Sequence, residues 1–161
     1  MSVLSEIRDA LQSILTRERF YLVSVAIPDI AAADAFDAND AVGGVFPIQV
    51  PKGTHVIEQF KLIDPDDDTL LLTAHIYAKR FLGVASDALY TVSADYALDW
   101  VTAVTFDGPI IDEGSFKATD KTGINYYTSL DGFLYCQCST TGTPNIAAGK
   151  RPVLQLGIRV F

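Results

Sequence analysis

The chain has 161 residues, of which 49% are hydrophobic and 20% are charged, and its formal net charge is −8. A chain of this length is expected to form one domain with an ordinary hydrophobic core, so intrinsic disorder and dependence on disulfides do not fit. Its 12 basic and 20 acidic side chains argue against binding to nucleic-acid phosphates or an anionic membrane, because both need a basic surface.

The residue types favour strands and turns over helices. Of the 20 acidic residues, 16 are Asp and 4 are Glu, and Ile, Val and Thr together account for 39 of the 161 residues. Asp favours turns whereas Glu favours helix interiors, and β-branched side chains favour strands. We therefore expect a mainly β protein with many loops.

The N-terminus and the two cysteines bear on where the chain is made. Residues 1–8 lack the basic and apolar regions of a secretory signal, and no apolar run approaches the roughly 20 residues of a membrane span. Cys136 and Cys138 would share one face of a strand, which is poor geometry for a mutual disulfide. We expect two buried thiols in a chain made in a reducing cytoplasm.

An amphipathic helix is predicted at the N-terminus, with Ser2 as its cap. A helix of about four turns needs a partner surface for its apolar stripe, either its own sandwich or a neighbouring subunit. The stripe consists of Val3, Leu4, Ile7, Leu11, Ile14 and Leu15.

Beyond the helix, the hydrophobic pattern switches to the period of two that is typical of strands. A hairpin is predicted about the acidic tip at 64–68, and a turn is predicted at 120–123. The predicted strands are Phe20–Ile27, Val45–Val50, Thr54–Ile63, Thr69–Lys79, Leu89–Ala94, Leu98–Phe106, Gly114–Ala118, Gly123–Thr128, Gly132–Thr140 and Val153–Phe161.

This number and spacing of strands predicts an antiparallel β-sandwich or jelly roll with one N-terminal amphipathic helix. Residues 1–41 are predicted to form an arm made of the helix, a strand and a connector. Residues 42–161 are predicted to form the β-sandwich domain.

The residues that carry most enzyme chemistry are scarce. Only His55 and His75 are present, neither in a nucleophile motif, and a cupin-like metal site would need two His and a Glu close together with a third His later. Only His55 and Glu58 fit that pattern, and they alternate onto opposite faces of a strand. We predict no catalytic residue, no cofactor and no metal site.

The acidic tip has the alternating carboxylates with which a calcium loop begins, at Asp64, Asp66 and Asp68. The turn Gly and the bidentate Glu of such a loop are replaced here by Thr69 and His75. We interpret the segment as a solvated hairpin tip, with a weak accessory cation site as the alternative.

Aromatic side chains on the outward faces of strands are the candidate partner-binding residues. Tyr77 opposes the apolar row of its strand, and Phe133 and Tyr135 oppose Leu134 and Cys136. Two coverings are possible: packing within the chain, or a subunit interface, where Tyr and Phe are enriched. With the apolar stripe of the helix, these three residues form the predicted partner-binding set.

The order of segments resembles that of tailed-phage virion proteins. An N-terminal arm precedes Gly43–Thr54 (GGVFPIQVPKGT), strand pairs follow, and the chain closes with the strand at Gly149–Leu156 (GKRPVLQL). Over residues 42–161 it is similar to the small β-sandwich decoration, or cement, proteins of phage heads. The resemblance implies a homotrimer that clamps neighbouring major capsid protein subunits, with the N-terminal segment reaching to a partner.

These observations together lead us to expect a non-enzymatic virion protein on the outer surface of a capsid, made in the host cytoplasm, that stabilises the head. One alternative is a carbohydrate-binding module of a tail fibre or surface protein, stacking sugars on Trp100 or on Tyr126 and Tyr127. The pattern around Trp100 favours a mostly core-facing side chain, which weakens that alternative. The other alternative is a cupin-like metalloenzyme.

Overall fold

The computed structural model describes residues 7, 19–30, 36–65, 71–107, 110–112, 117–144, 146 and 150–161. These residues form two antiparallel sheets, which confirms the predicted mainly β, sandwich-like class. Of the predicted N-terminal helix only Ile7 lies within the described residues, where it is helical and half-exposed. The elements are β1 (Arg19–Ala26), β2 (Ala41–Gln49), β3 (Gly53–Asp64), β4 (Leu72–Tyr77), a 3-10 helix (Ala94–Asp99), β5 (Trp100–Thr105), β6 (Ile110–Asp112), β7 (Lys117–Ser129), β8 (Phe133–Thr140) and β9 (Val153–Val160).

The strands pair in a nested order. The first sheet has the order β1-β9-β3-β7-β6, and the second has the order β2-β8-β4-β5. Strand β1 pairs with β9, β2 with β8, β3 with β7 and β4 with β5. Strand β1, which the sequence grouped with the arm, therefore belongs to the first sheet.

The core lies between the two sheets and is filled by alternate residues of both. Burying a Leu, Ile or Phe side chain stabilises the fold by about 1.5–3 kcal/mol. Cys136 and Cys138 are both buried and unpaired, as predicted, and burial raises the pKa of the Cys136 thiol. The largest fully buried side chains are Phe36, Phe60, Phe106, Ile27, Ile48, Ile57, Leu72, Ile76, Leu134, Leu154, Leu156 and Ile158.

The predicted hairpin between β3 and β4 is wrong. Strand β3 pairs with β7 and β9 in the first sheet, whereas β4 pairs with β5 and β8 in the second. A period of two buries one face of a strand equally well in either sheet of a sandwich. The pattern therefore located both strands but did not identify their neighbours.

The predicted turn at 120–123 is also wrong, because these residues lie inside β7. The register passes from Ile57 opposite Asn125 to Gln59 opposite Thr122. One residue of β3 therefore faces two residues of β7, which is the arrangement of a β-bulge. Gly123 lies in the bulge, within a continuous strand. The glycine therefore marks an irregularity in the pairing, which is a bulge and not the predicted turn.

The predicted strand at Leu89–Ala94 is not regular. Leu89 forms an isolated bridge with Asp40, and the chain then enters the 3-10 helix, whose N-cap Ser93 accepts a hydrogen bond from the Asp95 backbone N–H. These residues belong to a stretch, 78–99, that lies across the outer face of the second sheet. We call residues 78–99 the covering segment.

Candidate binding face

Four side chains form a row across the outer face of the second sheet. Pro47 is opposite Tyr135, Tyr135 is opposite Tyr77, and Tyr77 is opposite Trp100. Because neighbouring strands lie about 4.8 Å apart, the row spans roughly 14 Å. We call the three aromatic members, Tyr135, Tyr77 and Trp100, the aromatic row.

The covering segment fills the middle of the aromatic row. The ring of Phe81 lies 4.3 Å from that of Tyr77, and Tyr96 packs against Phe81 at 6.1 Å. Tyr77 is consequently only 7% exposed. Tyr77 is therefore covered by residues of its own chain, which is one of the two coverings considered above. A cleft remains on each side of the covered Tyr77 ring.

The first cleft has a volume of about 280 Å³ and is lined by Val45, Pro47, Arg80, Phe133 and Tyr135. Three of the five side chains are apolar, and Tyr135 adds a ring with a hydroxyl. Arg80 is exposed and has no ion-pair partner among the described residues. An apolar wall with an available cation suits an apolar group that carries a neighbouring carboxylate.

One rim of the first cleft is fixed by Asp131. Its carboxylate accepts hydrogen bonds from the Phe133 backbone N–H at 3.0 Å and the Tyr135 hydroxyl at 3.2 Å. The bond from Phe133 is the main reason why the pKa of Asp131 lies below its usual value. The Tyr135 ring is thereby held in one orientation at the cleft.

The second cleft has a volume of about 270 Å³ and lies beside Trp100. The expectation that Trp100 faces the core is wrong, since its side chain is 53% exposed. The register between β4 and β5 shifts between Ile76 and Tyr77, which leaves Val101 as an extra residue and turns Trp100 to the outer face. The cleft is lined by Tyr77, Val92, Ser93, Ala94, Ala97 and Trp100.

The other proposed sugar platform, Tyr126 with Tyr127, is not a platform. Tyr126 is exposed, but Tyr127 belongs to the core. Successive residues of a strand point to opposite faces, so the two rings cannot lie side by side.

The two histidines lie in different sheets. His75 of β4 stacks on Tyr90 with 4.2 Å between the ring centroids, and its Nε2 is 2.9 Å from the Ser139 hydroxyl. Burial lowers the pKa of His75 to about 4. Ser139 is buried, and neither residue of this pair lines the two clefts.

His55 of β3 faces the core side of the first sheet. Its Nε2–H donates to the Lys52 carbonyl at 2.8 Å, and its ring meets Tyr127 edge-on at 5.9 Å. The arrangement fixes the turn before β3 and the neighbouring ring, which is a packing role.

The described residues contain no group of three or more His, Cys, Asp or Glu that could hold a metal ion. Asp64 is buried at the end of β3. Asp66 and Asp68 lie outside the described residues, as do the stripe residues Val3, Leu4, Leu11, Ile14 and Leu15.

The structure thus brings together three residues of the predicted partner-binding set. Phe133 and Tyr135 line the first cleft, and Tyr77 lines the second. Sequence reasoning missed Arg80, Val45 and Pro47, because cross-strand register and the path of the covering segment place them there. The sequence did hold a clue to two of them: Val45 and Pro47 alternate with Phe46 and Ile48, which are buried, and so belong to the outer face of β2.

In the part of the chain that is described, no helix is long and apolar enough to cross a membrane. Comparison with protein-family models gave no match, and comparison with curated protein sequences gave none either.

Proposed function

We propose that this chain is a non-enzymatic structural protein of a phage particle, a decoration protein that stabilises the head as a homo-oligomer. The nested strand order supports the proposal. Apart from the short β6, the strands pair as β1 with β9, β2 with β8, β3 with β7 and β4 with β5. Such pairing is the jelly-roll arrangement, on which viral capsid domains, lectins and cupins are built.

The state of the reactive side chains favours a binding role over a cupin-like metalloenzyme. His55 and His75 lie in different sheets, and each is engaged in a hydrogen bond within the chain. Both thiols are buried in the core. The outer face of the second sheet instead offers two clefts to a partner, with aromatic side chains in both and Arg80 in the first.

In the proposed mechanism, the partner is the major capsid protein on the outer surface of the head. A protein that binds only the assembled lattice raises the free energy needed to disrupt it. The clefts would hold apolar side chains of the capsid protein, and Arg80 would pair with a carboxylate beside them. The family resemblance suggests a trimer, and the net charge of −8 argues against contact with packaged DNA.

The test is co-sedimentation of the purified protein with assembled heads that lack it. Saturable binding to heads, with none to unassembled capsid protein, is expected. A chain that fails to bind heads at micromolar concentration contradicts the proposal.

A second candidate function is carbohydrate binding, which the exposure of Trp100 beside a cleft favours. Indole rings stack on the apolar faces of sugars, and the indole of Trp100 lines the second cleft. A glycan-array signal that is lost in Trp100→Ala and kept in Tyr126→Ala, an exposed aromatic on the other sheet, would support this function. Absence of any signal on the glycan array would contradict carbohydrate binding.

A further inference from the structure

Within the described residues, strand β1 is the edge strand at one side of the first sheet. It pairs with β9 over its whole length, from Arg19 opposite Val160 to Ala26 opposite Val153, without any shift in register. Among the described residues, β1 has no strand on its other side. An eight-residue edge therefore presents backbone N–H and C=O groups that another strand can pair with.

Both faces of this edge strand carry exposed apolar side chains. Phe20 is 53% exposed and Leu22 is 59% exposed on the outer face, and Tyr21 is partly exposed on the other. Phe161, also exposed, follows β9 beside the start of β1. An occupant that pairs with the backbone and spans both faces would cover these groups together.

The other sheet edges carry features that discourage strand pairing. Strand β2 contains Pro47 and a register shift after Val42. Strand β6 has three residues and ends in Asp112, and β5 has six residues. The part of β7 beyond β6 contains Lys121 and the bulge. Strand β1 is long, regular and apolar, without proline, lysine or a bulge.

We propose that β1 pairs antiparallel with β1 of a second copy across a two-fold axis, which joins two five-stranded sheets into one of ten strands. A two-fold contact uses the same surface on both copies, and β1 matches itself in length and apolar character. Arg19 is the one charged residue of β1, and antiparallel pairing puts the two arginines at opposite ends. In a chain of net charge −8, this acid-free strand is where two copies meet with little repulsion.

This inference stands apart from the virion proposal. The edge pair can form a dimer by itself, or it can join two larger oligomers, whether or not the protein binds a capsid. The experiment must therefore detect the contact itself and not only the number of copies.

The test is cross-linking of the Leu22→Cys variant of the full chain with a short bis-maleimide. Leu22 lies near the middle of β1, so the two introduced thiols would be directly opposite or diagonal, within about 8 Å across the paired strands. The native Cys136 and Cys138 are buried and should not react. Leu130→Cys, at an 83% exposed position in the β7–β8 turn, is the matched control.

We expect most of the Leu22→Cys protein to become a covalent dimer at micromolar concentration, and little of the Leu130→Cys protein. Leu22→Lys should also weaken association at least tenfold in sedimentation velocity, whereas Leu130→Lys should not. Circular dichroism verifies that each variant is folded. A folded Leu22→Cys chain that does not cross-link, or that cross-links no better than the control, overturns the inference.

Discussion

His75 is a histidine whose protonation the fold opposes. Its ring is stacked on Tyr90 and bonded to Ser139, and burial lowers its pKa from 6.5 to about 4. The unfolded chain takes up a proton on this side chain below about pH 6.5, and the folded chain does so only near pH 4. Stability from this group is therefore present above pH 6.5 and is lost as the pH falls toward 4.

We expect the free energy of unfolding to drop between pH 7 and pH 5 by about 1–2 kcal/mol more in the wild type than in His75→Gln, allowing for solvent screening. The measurement is urea unfolding of both proteins at the two pH values. Carboxylates titrate in both chains, so the variant serves as the control for their contribution. Equal losses in the two proteins would contradict a buried, neutral His75.

At the residue scale, the sequence predicted the correct face for most strand residues and the wrong one for Trp100. Alternation correctly placed Tyr77, Phe133 and Tyr135 opposite the core side chains of their strands. The prediction for Trp100 was wrong because the extra residue at Val101 reverses the direction of the one strand residue before it. A bulge of this kind depends on the partner strand, so its position is not encoded by local periodicity.

At the scale of elements, one side-chain amide of β8 is among the contacts that hold the covering segment to the second sheet. The Nε2 of Gln137 donates to the carbonyls of Gly43 at 2.9 Å and Val84 at 2.7 Å, while its Oε1 accepts from the Val84 N–H at 3.2 Å. Gly83 lies so close to this amide that a Cβ there would overlap Gln137 and Val45. These contacts help to fix the path of the covering segment around residues 83 and 84, next to Val45 of the first cleft.

We predict that Gln137→Leu destabilises the protein by about 3 kcal/mol, because three backbone groups, one buried and two part-buried, lose their partner. The same change at the exposed Gln49 of β2 should cost less than about 0.5 kcal/mol. Urea unfolding measures both values, and limited proteolysis within 78–99 should be faster only in Gln137→Leu. Equal stability of the two variants would contradict this role of Gln137.

The path of the covering segment could not be predicted from its sequence. Leu89–Ala94 has the alternation of a strand, but its contacts are with side chains of the sheet beneath it, such as the stacking of Tyr90 on His75. Likewise, Gly123 signals a break in regular structure and cannot tell a turn from a bulge inside β7. Both outcomes are decided by tertiary contacts between residues that are distant in sequence.

At the scale of the whole molecule, the sandwich class followed from the number and spacing of strands, but the pairing did not. Nested order makes neighbours of β1 and β9, which are the first and last strands along the described part of the chain. Period-two patterns carry no information about such partners, which is why the β3–β4 hairpin was predicted incorrectly. The first cleft, which needs β2, β8 and the covering segment together, could not be assembled without that order.

The central claim is that the outer face of the second sheet binds an assembled phage head. Co-sedimentation with heads lacking the protein tests it most directly, using wild type, Arg80→Ala and the control Arg151→Ala, which changes an exposed arginine just before β9. Loss of a charge-assisted contact costs about 1.5–3 kcal/mol, so Arg80→Ala should weaken binding at least tenfold. We predict that wild type and Arg151→Ala bind heads saturably and that Arg80→Ala binds at least tenfold more weakly. A wild type that does not bind heads, or equal binding by all three proteins, would contradict the claim.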